Sequence, residues 1–368
     1  MSNNDKMTGV QLACVMYSTV LGTGFITLPT TSYQYARNGL WLTMFPGILT
    51  ALISMGCAVK LSRMYPGLSP VAYIKRILGR IPGFLVGLLL FLFCLQAAGV
   101  TVRQYGDFVT GSFMNRTPLT FVIASIALLA GIAVRCGAGV IARSAALLTP
   151  IFVLPLLLLV LLYPHLEFRY LFPPLERGIV PVLKGSLTPQ AWMSEVYLIS
   201  FFLPRLASGV KIGRWAVASI AAIVASMFYV NLFSILLLGP DTGSKLVTIL
   251  IAFRYINVAD FFENMEAFLL AMWVVGNFVK LAVFYYAASM SCSELFRLRD
   301  YRLIVFPVGI LILIFSIWDL PSFAIVAEQN LLVAPFWVPT MMAVLPGLLV
   351  IAASIQWRRR SLQSRPNG

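Results

Sequence analysis

The sequence predicts an all-α integral membrane protein with about ten transmembrane helices. Of its 368 residues, 60% are hydrophobic and only 11% are charged. A soluble domain carries about 25% charged residues, so this chain has too few polar groups to cover a water-facing surface. The net charge of +14 comes from 27 Lys and Arg against 13 Asp and Glu. These basic residues lie between apolar blocks, and we therefore attribute the charge to membrane topology rather than to nucleic-acid binding.

A membrane-spanning helix needs about 20 largely apolar residues. Segments of this kind follow one another along the whole chain, at residues 10–35, 41–62, 82–112, 118–134, 139–163, 188–206, 213–239, 262–293, 303–319 and 333–356. The third and eighth segments are long enough to tilt strongly in the bilayer.

The basic residues also predict the orientation of the chain in the membrane. If the N-terminus is cytoplasmic, 18 Lys and Arg lie on the inner side and 8 on the outer side, and Lys280 lies within a span. Both termini are therefore predicted to be cytoplasmic. The outer loops 165–185 and 240–260 are predicted to carry short amphipathic helices. The basic tail, residues 358–368, is predicted to be disordered and to contact anionic lipid head groups.

Several function classes are disfavoured by what the sequence lacks. His165 is the only histidine, which argues against a zinc site, and no two cysteines have a CxxC spacing. We interpret the cysteines as reduced packing residues: Cys14, Cys57, Cys94, Cys136 and Cys292. No cleavable signal peptide and no cofactor are expected. The lack of a histidine cluster, a carboxylate pair with a nucleophile, or a phosphate-binding loop makes an enzyme the weakest interpretation.

The first span contains Gly22-Thr23-Gly24 near its middle, followed by Pro29. Two glycines with a hydroxyl between them disfavour a helix interior. One interpretation is close helix packing through small residues. The other is an unwound segment whose free backbone groups meet a ligand at the membrane midplane.

The sixth span is a second candidate for an interrupted helix. It opens with Thr188-Pro189, which suits a first helical turn, and continues with Trp192 and Glu195 before Pro204 near the inner end. A carboxylate inside a membrane is expensive and is a functional candidate by default. The alternative role for Glu195 is a structural hydrogen bond to a neighbouring helix.

Lys280 is the other charge predicted to lie deep in the membrane. It falls in the middle of the eighth span, with Phe284 one turn further on the same helix face. A lysine at this depth cannot easily reach either surface with its ammonium group. We therefore expect it to face a polar cavity or a partner carboxylate, for which Glu195 is one candidate.

The third span contributes two sets of residues. Phe93 and Gln96 lie deep in the span and could share the wall of the same cavity, although Phe93 alone would be ordinary packing. Arg103 and Asp107 are four residues apart near the outer end, a spacing that favours a structural ion pair on one helix face.

Interrupted first and sixth spans in a chain of about ten spans are typical of two inverted five-helix repeats. The predicted organisation is a single transmembrane domain, residues 1–368. Its first repeat covers about 8–163, an outer loop covers about 164–187, and the second repeat covers about 188–357, ahead of the basic tail.

Several sequence pieces, in this order and spacing, resemble a known family. The first-span run from Val20 to Pro29 is similar to the motif of permeases in the amino acid–polyamine–organocation superfamily. The whole chain resembles more narrowly the GerAB-type B subunits of nutrient germinant receptors. The matching pieces are Tyr65-Pro66-Gly67-Leu68, Asn115-Arg116-Thr117-Pro118, Leu171-Phe172-Pro173-Pro174, Gly178-Ile179-Val180-Pro181, Glu195, Phe262-Glu263, Glu266-Ala267-Phe268 and Trp273.

The resemblance implies a LeuT-like fold, with a small germinant, often an amino acid, held between the broken first and sixth helices and spans three and eight. It also implies assembly with an A subunit and a lipoprotein C subunit in the spore inner membrane. Carried over by position, the pocket would use Gly22, Gly24, Phe93, Trp192, Lys280 and Phe284. With the residues identified above, the predicted ligand-binding set is Gly22, Thr23, Gly24, Phe93, Gln96, Trp192, Glu195, Lys280 and Phe284.

Two functions remain in competition at this point. The first is a germinant-sensing receptor subunit, which the resemblance favours, and the second is an amino-acid permease of the same fold. Both need an enclosed pocket at the midplane, so the residues alone do not separate them. Lys280 is cationic and Trp192 is bulky, whereas relatives have small or neutral groups at these positions. The sequence therefore does not identify the nutrient.

Overall fold

The protein is a bundle of helices, seen in a computed structural model that describes residues 6–245, 247–256, 265–320 and 322–363. Within these ranges the α-helices are α1 Gly9–Ala36, α2 Phe45–Met64, α3 Pro70–Leu78, α4 Arg80–Ser112, α5 Leu119–Cys136, α6 Ala138–Leu158, α7 Ile179–Gly185, α8 Leu187–Ser194, α9 Ile212–Leu238, α10 Thr248–Tyr255, α11 Glu266–Leu295, α12 Val305–Trp318, α13 Phe323–Glu328, α14 Ala334–Pro339 and α15 Leu345–Gln363. Short 3-10 and π-helical segments join several of them. The all-α prediction is confirmed.

Long apolar helices form most of the bundle. Among the described residues, seven helical runs are long and apolar enough to cross a membrane: Gly9–Met64, Arg80–Ser112, Leu119–Cys136, Ala138–His165, Ile212–Gly243, Glu266–Leu295 and Gln329–Arg359. The first run contains two of the predicted spans, because the 3-10 segment Arg37–Met44 joins α1 to α2. The shorter apolar α12 and the region of α8 correspond to the two other predicted spans.

The first span differs from the prediction. The interruption expected at Gly22-Thr23-Gly24 is wrong, because α1 runs unbroken through both glycines and Pro29. This helix packs against α6, α9 and α11, and its middle is buried. These contacts outweigh the roughly 1 kcal/mol by which each glycine disfavours a helix relative to alanine. An unwound segment in apolar surroundings would also leave backbone groups without hydrogen bonds.

The sixth span is interrupted, as predicted. α8 begins at Leu187, and Pro189 lies in its first turn, where a missing backbone N–H does no harm. α-Helical hydrogen bonding ends at Ser194, and a 3-10 helix follows from Glu195 to Phe201. A 3-10 helix has about 3.0 residues per turn instead of 3.6. The side chains from Glu195 onward therefore point in directions that a continued α-helix would not give them.

Two helices, α1 and α11, form the centre of the bundle. α11 packs against α1, α4, α5 and α6, and residues 279–289 along it are all buried. This central position brings Lys280 next to both the first span and the interrupted sixth span.

The N-terminus is joined to the end of the sixth span by backbone pairing. The Met7 N–H donates to the Arg205 carbonyl oxygen at 2.9 Å, and the Ala207 N–H donates to the Met7 carbonyl oxygen at 3.0 Å. These bonds form one isolated bridge between Met7 and Leu206. The pairing ties the start of α1 to the 3-10 turn Leu203–Arg205, in which Pro204 lies.

The loops and the tail complete the fold. α7 and α10 fall in the two loops that are predicted to carry short helices. The prediction of disorder from residue 358 is wrong as far as Gln363, because α15 continues to that residue. The rest of the tail, residues 364–368, lies outside the described residues, as does the matching piece Phe262-Glu263.

Candidate binding cavity

The centre of the protein holds a buried ion pair between the sixth and eighth spans. Lys280 Nζ donates to Glu195 Oε1 at 3.0 Å and to Oε2 at 2.8 Å, and it donates to Thr23 Oγ1 at 2.9 Å. The two residues are 3% and 5% exposed. Because an ammonium group has three donor hydrogens, these contacts satisfy it. Of the partners considered for Lys280 from the sequence, the structure supplies Glu195.

The ion pair lines a cavity of about 60 Å³. Most of the predicted ligand-binding residues meet here. The cavity is lined by Thr23, Phe93, Gln96, Trp192, Glu195, Lys280 and Phe284 from that set, together with Ala97, Val100, Thr101, Gln104, Gln329, Asn330, Val333, Ala334, Trp337 and Val338. The break after Ser194 places Glu195, which lines this space, at the start of the 3-10 segment.

One wall of the cavity is aromatic. The ring of Phe93 lies between those of Phe284 and Trp337, with centroid distances of 6.3 and 6.0 Å. Lys280 Nζ is 5.8 Å from the centroid of the Phe284 ring, within the range of a cation–π contact. The cavity therefore combines one neutralised pair of charges with flat apolar surfaces.

Gln96 holds three helices together at the edge of the cavity. Its side-chain Nε2 donates to Asp319 Oδ2 at 2.9 Å, and its Oε1 accepts from Trp337 Nε1 at 3.1 Å. These bonds connect α4 to the end of α12 and to α14. Both ends of the Gln96 amide are engaged in these bonds, so this predicted binding residue also supports the aromatic wall.

The two glycines of the first span do not line the cavity. A Cβ atom added at Gly22 would lie 2.6 Å from the Gly276 carbonyl oxygen, and one added at Gly24 would lie 3.0 Å from Trp192 Cε3. In addition, Asn277 Nδ2 donates to the Gly22 carbonyl oxygen at 3.1 Å. The structure places these glycines where helices approach closely, which is the packing interpretation of the motif, and only Thr23 of the three residues faces the cavity.

The tenth span supplies a wall that sequence reasoning missed. Gln329, Asn330 and Trp337 line the cavity, and Gln329 starts a π-helical turn that runs to Val333. Single π turns inside α-helices occur frequently at functional sites. The available signal was the amide pair Gln329-Asn330 at the start of an apolar run, which lies just before the predicted span boundary.

Arg103 and Asp107 form the predicted ion pair on α4, with Arg103 Nε 3.0 Å from Asp107 Oδ2. Neither residue lines the cavity, which agrees with a structural role. In the part of the chain that the structure describes, no group of three or more His, Cys, Asp and Glu side chains could hold a metal ion.

Comparison with solved structures places the fold among transporters. The chain superimposes on Mhp1, a nucleobase-cation-symport-1 family transporter, with a TM-score of 0.72 at 13% identity, over 94% of this chain and 77% of that one. It superimposes on MhsT in complex with L-phenylalanine with a TM-score of 0.69 at 14% identity, over 94% of this chain and 89% of that one. The predicted LeuT-like fold is confirmed, apart from the break in the first helix.

Sequence comparison identifies relatives along nearly the whole chain. Spore germination protein KB of Bacillus subtilis (strain 168) is 26% identical over 92% of both chains. Spore germination protein YndE of the same organism is 26% identical over 80% of this chain and 83% of its own, and spore germination protein A2 is 25% identical over 85% and 87%. The family model described as spore germination protein matches residues 6–324. The chain is therefore a multi-pass membrane protein that belongs to the spore germination protein family of permease type.

Proposed function

We propose that the chain is the B subunit of a nutrient germinant receptor and that it binds a small germinant, an α-amino acid, beside Glu195 and Lys280. The observation that carries this proposal is the ion pair in the cavity, where a cation and an anion lie side by side. An α-amino acid presents the complementary groups, a carboxylate and an ammonium on one carbon atom. Charged residues inside membrane proteins are costly, and they commonly mark substrate sites.

In this proposal the ligand binds by exchanging partners with the ion pair. Its carboxylate accepts hydrogen bonds from Lys280 Nζ, and its ammonium donates to the Glu195 carboxylate. Both protein charges stay paired throughout, which avoids the large penalty of an unpaired buried charge. Thr23 Oγ1 already accepts from Lys280 at 2.9 Å, so it holds the lysine in place during the exchange. The aromatic wall contacts the apolar atoms of the ligand.

The proposed receptor assembles with an A subunit and a lipoprotein C subunit in the spore inner membrane, with both termini of this chain in the cytoplasm. The names of the relatives support the spore setting. The 18-to-8 excess of Lys and Arg on the side of the N-terminus supports the orientation. A germinant that binds one arrangement of the helices better than another shifts the chain towards that arrangement, and the partner subunits would respond to this shift.

A second candidate is an amino-acid permease. The fold favours it, because the solved structures with the same architecture include a transporter and a protein in complex with L-phenylalanine. A permease releases its bound ligand on the other side of the membrane, whereas a receptor subunit does not need to. Uptake of labelled amino acids into proteoliposomes that contain this chain alone would favour the permease, and binding without uptake would favour the receptor subunit.

The proposal is tested with the purified chain in lipid nanodiscs and a panel of the proteinogenic L-amino acids, by isothermal titration calorimetry. We expect at least one amino acid to bind. The amide of that amino acid lacks the carboxylate, and the corresponding α-hydroxy acid lacks the ammonium. Each of these two analogues should therefore bind at least about tenfold more weakly than the amino acid. The reason is that a hydrogen bond to a charged group contributes about 1.5–3 kcal/mol.

Two variants accompany the panel. Lys280→Met removes the proposed carboxylate partner and should abolish the difference in affinity between the amino acid and its amide. Lys211→Met removes a lysine that is exposed just before α9 and should bind like the wild type. Equal affinity of the unmodified chain for an amino acid and its amide would contradict the proposal.

A further inference from the structure

A separate cavity of about 430 Å³ opens at the end of the bundle where α11 ends and α12 begins. Its volume falls in the range of small-molecule pockets, about 300–1,000 Å³. The walls come from the turn between α5 and α6, the 3-10 turn Leu203–Arg205, the last turns of α11 and the turn before α12. None of the described residues that line it lines the cavity of the ion pair. The basic residues predict that this end of the bundle is cytoplasmic.

Among the described residues, three arginines line this cavity: Arg205, Arg299 and Arg302. They come from two distant parts of the sequence, and two of them meet at Tyr301. Burial raises the pKa of the Tyr301 hydroxyl, whereas a hydrogen bond with Arg302 and the nearby charge of Arg205 act in the opposite direction. The fold therefore brings guanidinium groups from the sixth span and from the turn before α12 to one space.

The turn that carries Arg299 and Arg302 is held in place by contacts on both sides. The Tyr301 hydroxyl donates to the Val134 carbonyl oxygen on α5 at 3.3 Å. Its ring packs edge-on against that of Tyr286 on α11, with a centroid distance of 5.5 Å. These contacts fix the backbone between α11 and α12, so the arginines project from an ordered wall.

The wall opposite the arginines in sequence is the beginning of α6. The helix starts at Ala138, and Gly137 caps it without a side-chain hydrogen bond. Gly137, Ala138 and Gly139 all line the cavity. The first N–H groups of an α-helix have no partner within the helix, and they carry a partial positive charge that favours anions. The start of α6 therefore adds backbone donors to a cavity that already contains guanidinium groups.

Two carboxylates, those of Glu294 and Asp300, also line the cavity. The Glu294 carboxylate accepts from the Ser69 hydroxyl, and Lys75 Nζ donates to the Glu294 carbonyl oxygen at 2.7 Å. Asp300 Oδ1 accepts from the Arg302 backbone N–H at 3.0 Å. Both acidic residues thus have contacts within the protein. Three arginines against two carboxylates leave an excess of positive charge in the described lining.

We propose that this cavity binds a phosphate group, supplied either by the head group of an anionic phospholipid or by a soluble phosphate compound. The planar fork of an arginine matches two phosphate oxygens at once. A carboxylate has two oxygens, which one guanidinium can engage in full, whereas a phosphate has further oxygens for the N–H groups at the start of α6. The bound group would link the end of the sixth span at Arg205 to α6 and α12. This site is independent of the proposed amino-acid site.

The test uses the purified, delipidated chain in an uncharged detergent and two probes. Inorganic pyrophosphate is titrated by calorimetry, and retention of added phosphatidylglycerol is counted by native mass spectrometry. We expect at least one probe to bind at a single site. Arg299→Gln and Arg302→Gln should each weaken this binding at least about tenfold, because each removes hydrogen bonds between charged groups. Arg299 is exposed, so its replacement should leave the fold and the melting temperature unchanged.

The matched control is Arg63→Gln, the same substitution at an exposed arginine in the last turn of α2 that does not line the cavity. It should bind both probes like the unmodified chain. Binding of phosphatidylglycerol alone would identify the ligand as a lipid head group, and binding of pyrophosphate alone would identify it as a soluble phosphate compound. Three results would each overturn the inference: no binding of either probe, unchanged affinity in Arg299→Gln and Arg302→Gln, or an equal loss in Arg63→Gln.

Discussion

The first and sixth spans carry similar helix-weakening residues and yet differ in structure. The first has Gly22, Gly24 and Pro29 and remains one α-helix. The sixth has Pro189 and Pro204 and changes to 3-10 geometry at Glu195. The difference lies in what surrounds the weak point. In the first span the neighbours are α11 and the Trp192 ring at contact distance, whereas in the sixth the break coincides with a carboxylate that faces a cavity.

This comparison separates two uses of small or irregular residues in a membrane helix. Glycines in the first span let backbones approach closely, as in other membrane helix pairs. The irregular backbone in the sixth span begins at Glu195, which lines a cavity, and non-helical backbone at membrane depth is tolerated beside a cavity. The first span therefore supports the site by packing, and the sixth span contributes a charged group to it.

The largest effect is expected from breaking the ion pair. Lys280→Met or Glu195→Gln alone should destabilise the protein by about 3–5 kcal/mol, because each leaves an uncompensated buried charge or an unpaired partner. The double variant should recover a large part of this loss. Resistance of the purified proteins to denaturation by SDS and their abundance in the membrane measure the effect.

The outcome also tests the role assigned to the sixth span. Normal stability and abundance in both single variants would mean that solvent or lipid head groups reach the pair, contrary to the 3% and 5% exposure of the two side chains. A double variant as unstable as the worse single variant would mean that the residues act separately.

A smaller effect is expected at the glycines of the first span. Gly22→Ala should destabilise by about 1–3 kcal/mol, because the new methyl group meets the Gly276 backbone at 2.6 Å and the helices must move apart. Gly24→Ala meets only the edge of the Trp192 ring at 3.0 Å, and the higher helix propensity of alanine offsets this contact. Melting temperatures in nanodiscs should therefore rank Gly24→Ala above Gly22→Ala. The reverse order would contradict the packing role of Gly22.

The smallest effect concerns the inner part of the sixth span. The hydroxyls of Tyr73 on α3 and Tyr197 on the 3-10 segment are 2.5 Å apart and buried. Tyr73→Phe should destabilise by about 1 kcal/mol, the usual net contribution of one hydrogen bond. Tyr197→Phe should cost a similar amount, and the double variant should cost less than the two singles together.

Tyr163→Phe serves as the matched control, because this tyrosine is 68% exposed and takes no part in the hydrogen bond between Tyr73 and Tyr197. Its stability should equal that of the unmodified chain. Additive losses at Tyr73 and Tyr197 would mean that the two hydroxyls do not depend on each other.

Composition and hydropathy were sufficient to predict the helical class and the spans, because apolar length is the dominant signal in a membrane protein. The pairing of Glu195 with Lys280 could also be anticipated, since a charge at this depth needs a partner. The continuity of α1 could not be predicted, because it depends on tertiary contacts such as that between Gly22 and Gly276. The tenth-span wall was missed because a π turn such as Gln329–Val333 leaves no mark in hydropathy.

The pairing of Glu195 with Lys280 has an electrical consequence. The empty site carries one positive and one negative charge, and a zwitterionic amino acid adds one of each, so binding brings no net charge into the membrane. Movement of one elementary charge across a membrane potential of 100 mV changes the free energy by about 2.3 kcal/mol. Binding of a neutral ligand at a neutral site moves no net charge, so its free energy does not include this contribution. Occupancy of the proposed site should then follow amino-acid concentration and be insensitive to membrane potential.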